Sequence, residues 1–164
     1  MDDHPQFMAL EINPVVAQAQ AMPGWFEQHF DNMRAFNKLT TAAVLVGTES
    51  NGEASRGLLG RDIVYEPSAA DLVKVLHGLE LVGRIFLAAG ADRVMPATFK
   101  YYEWHNEAEL KRLWDVVRDA SDLTLGSGHP QGGNAVSARD ERGVVTPEFR
   151  VRGTRNVLDR KSVV

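Results

Sequence analysis

The stretch from Ser68 to Ala89 does most to limit what this chain can become. Leu72, Leu76, Leu79, Val82, Ile85 and Phe86 recur at intervals of three and four, which places them on one face of a helix. Ser68 is a helix-capping residue, and Asp71 stands three positions on, where a reciprocal capping acid belongs. Gly90 follows the last periodic position and can end the helix in a left-handed conformation. A helix this long needs other elements to cover its apolar stripe. His77 lies beside that stripe, where a polar neighbour or solvent would satisfy it.

A second helix is predicted from Glu107 to about Ala120. Asn106 caps it, Glu109 follows three residues later, and Leu110, Leu113, Trp114 and Val117 form its apolar face. Glu107 and Glu109 near its start and Arg118 near its end suit the helix dipole. Upstream, Trp25, Phe26, Phe30, Met33 and Phe36 recur at helical spacing after Pro23-Gly24, and core packing is their expected role. Strands are expected at Phe7 to Ile12 and, buried, at Thr41 to Val46. Asn51-Gly52 reads as a turn leading to antiparallel strands at Gly57 to Leu59 and Asp62 to Tyr65. Shorter extended segments follow at Val94 to Ala97, Leu123 to Leu125, Phe149 to Val151 and Val157-Leu158, with a charged loop from Ala138 to Gly143. This succession predicts an α+β fold, an antiparallel sheet with amphipathic helices packed on one side.

The 164 residues suffice for one domain with a core, and 44% hydrophobic with 24% charged residues is ordinary for a globular protein. A net charge of −4 argues against nucleic acid as a partner. The apolar run at Ile85 to Ala89 is too short to span a bilayer. With no cysteine, the chain has neither a disulfide framework nor a Cys zinc site, and a reducing, cytoplasmic setting is favoured. His105 and His129 lack a converging set of further ligands, so no metal site is expected. Phe99, Tyr101, Tyr102 and Trp104 cluster before the second helix, where they can pack or line a pocket.

The segment Ser127-Gly128-His129-Pro130-Gln131-Gly132-Gly133-Asn134 carries the features of a chemical site. Pro130 pushes the backbone of His129 towards an extended conformation. Gly132 and Gly133 have no Cβ and allow a ligand to approach the main chain. An imidazole exchanges a proton near neutral pH, as general acid–base chemistry requires. A histidine and two glycines alone read more simply as a glycine-rich surface turn. Asn134 reads equally as a turn cap or a cofactor contact.

Together with Arg142-Gly143-Val144-Val145-Thr146-Pro147-Glu148-Phe149-Arg150-Val151-Arg152-Gly153, this segment resembles the C-terminal region of the glucose–methanol–choline (GMC) flavoprotein oxidoreductases. The likeness extends over nearly the whole chain and implies that family's substrate domain over residues 1–158. By that resemblance, FAD is the cofactor of the complete enzyme, and the reaction oxidises a CH–OH group of an alcohol, sugar or sterol by hydride transfer to the flavin. His129 is implied as the proton acceptor, and Gly132, Gly133 and Asn134 as residues at the flavin edge. The family's dinucleotide domain, with its strand–GxGxxG–helix unit, has no counterpart in these 164 residues. Its second active-site residue would follow the segment seen here. Residues 159–164 depart from the family's Asp-Ala-Ser-like continuation and are expected to be a non-native tail, translated from joined adapter DNA. Met1 is then an internal methionine.

Two further function classes are compatible with the residues. A non-catalytic carbohydrate-binding or subunit-interaction module would use Tyr101, Tyr102 and Trp104 as its face. A hydrolase would pair His129 with a serine, but no GxSxG elbow is present. If the division of labour implied by the resemblance is right, the purified chain is colourless and retains no FAD. A yellow preparation with stoichiometric flavin would contradict it.

Overall fold

A computed structural model describes residues 6–7, 15–49, 52–57, 60–126, 133–139, 141 and 143–159. The chain forms two compact units, Met1–Leu125 and Gly126–Val164. The architecture is α+β, with helices and short antiparallel strand pairs, as the sequence predicts.

In the first unit, β1 (Gln6–Phe7) pairs antiparallel with β2 (Val44–Leu45). Helices α1 (Val15–Ala21) and α2 (Phe26–Arg34) lie between them in the chain. A hairpin of β3 (Glu53–Gly57) and β4 (Gly60–Val64) follows, in register from Glu53↔Val64 to Gly57↔Gly60. The reversal therefore falls between Gly57 and Gly60, and both strands sit earlier than expected. Gly60 adopts a φ of 145°, a conformation closed to residues with a Cβ. β2 is shorter than the strand expected over 41–46, and Leu45 is exposed.

Helix α3 (Ala69–Ala88) matches its sequence signals closely. The Ser68 hydroxyl accepts the Asp71 amide at 3.2 Å, and the Asp71 carboxylate accepts the Ser68 amide at 3.3 Å. Asp71 is fully buried and also accepts the Glu49 amide at 3.2 Å and the Lys74 ammonium at 3.4 Å. Burial alone would raise its pKa, but the Glu49 amide, the Ser68 hydroxyl and amide, and Lys74 together hold it below the usual carboxylate value. At the other end, Gly90 N–H bonds Leu87 O and Ala91 N–H bonds Phe86 O, with Gly90 at a φ of 92°. These are the paired bonds of a Schellman stop.

The remaining elements pack onto α3. Short helices α4 (Glu107–Leu110) and α5 (Leu113–Val116) lie against it, as does β2. Leu76, Trp104, Leu110, Leu113, Val117 and Leu123 make the buried core. The helix expected over 107–120 tightens at Lys111–Arg112 and stops at Val116. The cause is Asp122, whose carboxylate takes the amides of Arg118 and Asp119 and starts a new turn at Ala120–Asp122. The extended segments Val94–Trp104 and Thr98–Leu123 pair only through single bridges.

Two glycines of α3 set how closely its neighbours approach. A Cβ on Gly83 would come within 2.8 Å of the Leu110 methyls, and one on Gly78 would overlap the Val44 side chain. Another set of contacts fixes α2. Arg93 donates to Glu103 at 2.7 Å and to Asn32 at 3.0 Å, while Tyr101 donates to Glu103 at 2.6 Å. Asn32, at 4% exposure, donates in turn to the Tyr101 hydroxyl. The Tyr101 hydrogen bond lowers the Glu103 pKa, and Arg93 reinforces this against the opposing effect of burial.

Two predictions follow from this packing. Gly78→Ala gains helix propensity of about 1 kcal/mol but overpacks the stiff Val44, so urea denaturation should show a net loss of about 1–2 kcal/mol. Adding Val44→Ala should recover much of that loss; strict additivity of the two changes would argue against the contact. The second concerns acid. A carboxylate whose folded pKa lies below its ordinary 4.5 contributes stability above that pH and loses it as pH falls through the folded value. Stability should therefore decline as pH drops below about 5, with a shallower slope in Glu103→Gln; an unchanged slope would remove Glu103 from the account.

Candidate functional site

The second unit is a compact loop structure built around Val145, which is fully buried. The Val144 and Val145 amides both donate to Ala135 O, and the Ser137 amide donates to Val145 O at 3.0 Å. This close approach needs Gly143, where a Cβ would meet Ser137 N at 2.8 Å and Ala135 O at 3.0 Å. Arg152 ties the layers together, its amide donating to Val144 O at 2.9 Å and its guanidinium to Ser137 O at 2.5 Å. Pro147 sits at the second position of a turn closed by the Phe149 amide on Thr146 O at 2.8 Å, a place its fixed φ suits. The expected extended segments at 149–151 and 157–158 meet through the bridge Arg150↔Leu158 and the Val151 amide on Val157 O, reversing at Gly153 with a φ of 76°, while Val151 also bridges Val145.

Of the residues singled out in the sequence, Gly133 and Asn134 lie in a turn of this unit. His129 and Gly132 lie outside the described residues. Asn134 is half-buried and donates its side-chain amide to the Asp159 carboxylate at 2.6 Å. Asp159 also donates its own amide to Phe149 O at 2.9 Å. The turn is thus tied to the strand-like end of the unit by a side chain rather than by a backbone ladder. Among the described residues, a Cβ at Gly133 would meet nothing within 4 Å.

The first unit holds a cleft of about 500 Å³ between the α1–α2 corner and the extended pair at Thr98 and Thr124. Trp25, Phe26 and Phe99 line it, and all three are exposed. The aromatic repeat of α2 therefore does not pack a core at its start, contrary to the sequence expectation. The repeat gives these rings a common face, but no described element covers it. His29, one turn on from Trp25 and Phe26, also lines the cleft, with Nε2 2.9 Å from Ala19 O. Sequence reasoning passed over His29; its spacing of three and four from the two aromatics was the available signal.

The other histidines have local partners. The His77 ring meets Trp114 edge-on, with centroids 4.9 Å apart. His105 Nδ1 lies 2.9 Å from Asp92 O, and Nε2 lies 3.3 Å from Glu103. The described residues include no group of three or more acidic or histidine side chains placed to hold a metal ion. No helix among them is long and apolar enough to cross a membrane. The aromatic cluster divides its roles. Trp104 is buried in the core with Tyr102 stacked on it, Tyr101 is held by Glu103, and only Phe99 reaches the cleft. A carbohydrate face made of Tyr101, Tyr102 and Trp104 is therefore not formed.

Comparison with curated proteins and with solved structures finds no match. A family model does match, the C-terminal domain model of the GMC oxidoreductases, over residues 48–158. That span takes in α3, the core around Leu110 and Leu113, the 127–134 segment and the Val145-centred unit, so the chain belongs to the GMC oxidoreductase family through its C-terminal domain.

Proposed function

We propose that this chain is the substrate-binding domain of an FAD-dependent oxidoreductase that converts a CH–OH group of an alcohol, sugar or sterol into a carbonyl. The observation that carries the reading is the family match, whose span of residues 48–158 includes His129 and its glycine turn. Bound FAD supplies the acceptor for the hydride that leaves the carbinol carbon. An unprotonated ring nitrogen of His129 takes the hydroxyl proton, so charge does not build up on the substrate oxygen as the C–H bond breaks. Gly132 and Gly133 keep side chains away from the cofactor edge. The imidazole must be neutral to act, which ties activity to the deprotonated form.

The test uses the FAD-loaded protein that contains this domain. His129→Ala should retain flavin, yet its reduction by substrate in stopped flow should slow by about two to four orders of magnitude. His77→Ala and His105→Ala should reduce at near-normal rates, since those rings serve Trp114 and Glu103. Near-normal reduction in His129→Ala with flavin bound would refute the assignment.

A further inference from the structure

The cleft in the first unit is open to solvent and lined largely by apolar and aromatic groups. Its volume of about 500 Å³ falls in the range of ligand pockets, roughly 300–1,000 Å³. Trp25 and Phe99 meet edge-to-face across it, with centroids 5.9 Å apart and planes at 62°. Each is 61% exposed, so two large rings are held in a fixed mutual geometry while still facing water. Phe26, between Trp25 and the body of α2, has a φ of 50° and is 85% exposed. A left-handed aromatic residue costs about 1–3 kcal/mol, and burial of its own ring does not offset that here.

The polar lining specifies the ligand further. Among the described residues that line the cleft there is no Asp, Glu, Lys or Arg to pair with a charged ligand. Thr98 is buried and its hydroxyl donates to Lys100 O at 2.8 Å. His29 Nε2 lies against the Ala19 carbonyl, which can only accept, so Nε2 carries the hydrogen. In the neutral ring the other nitrogen, Nδ1, is then an acceptor. A polar group that meets this histidine must donate.

We propose that the cleft binds an uncharged, planar ring compound carrying a hydroxyl group, with the ring received by Trp25 and Phe99 and the hydroxyl donating to Nδ1 of His29. The site lies wholly within the first unit and does not depend on the oxidation proposed above.

The test is a titration of the full chain with 2-naphthol, followed by the indole N–H signals in proton–nitrogen NMR. The Trp25 signal should move saturably while that of the buried Trp104 stays in place. Trp25→Ala and Phe99→Ala, both at exposed positions, should each weaken binding at least about tenfold. 2-Methoxynaphthalene, which keeps the ring but cannot donate, should bind more weakly than 2-naphthol, and His29→Phe should abolish that difference. Failure of 2-naphthol to move the Trp25 signal, or undiminished affinity in both ring variants, would overturn the site. Equal binding of the methoxy compound to the unaltered chain would overturn the role of His29. Glucose shifting the same signal with equal affinity would overturn the ligand class.

Discussion

The close approach of α3 to its neighbours is the constraint on which the first unit depends. Gly78 admits Val44 and Gly83 admits Leu110, so β2 and α4 can both settle against one helix. The helix can serve this way because both its ends are chemically fixed. Ser68 and Asp71 exchange capping bonds at one end, and Gly90 closes a Schellman stop at the other. Asp71 links more than the helix terminus, because its buried carboxylate also takes the Glu49 amide from the segment before the hairpin. With α3 placed, Trp104, Leu110, Leu113 and Leu123 complete the core. The extended pair carrying Thr98 and Thr124 follows from that core, and with it the floor of the aromatic cleft.

The second unit achieves order by different means. Among its described residues Val145 is the one buried hydrophobic, and main-chain bonds among residues 135–137, 144–146 and 149–152 organise it. Within it the Asn134 side-chain amide donates to the Asp159 carboxylate in a charge-assisted hydrogen bond. In the reading proposed above, the flavin would carry the redox chemistry, and this domain would place the substrate and manage one proton.

Elements with both a period and a cap were legible in the sequence. α3 appears within one residue of its expected limits because Ser68, Asp71 and Gly90 act locally. The start of α4 was equally readable, since Asn106 accepts the Glu109 amide at 2.9 Å. Its end was not, because Asp122 draws the chain into a new turn through bonds that the apolar spacing does not report. The exposed faces of Trp25 and Phe26 were also misread, for periodicity reveals a shared face without saying what covers it. Of the chemical site, the resemblance identified the 127–134 segment, and the family match runs through it. The tether from Asn134 to Asp159 spans residues too far apart for local patterns to reveal, and His29 drew no notice without the cleft around it.

The account rests most heavily on His129 as the proton acceptor, and the pH dependence of substrate-driven flavin reduction tests it most directly. In the FAD-loaded protein that contains this domain, the rate should fall by about tenfold per pH unit on the acidic side of an imidazole titration, near pH 6.5 in an unperturbed ring. The same profile in His129→Ala should be slow throughout and lack that limb. An acid limb of unchanged shape in His129→Ala would assign the proton to another group and contradict the account.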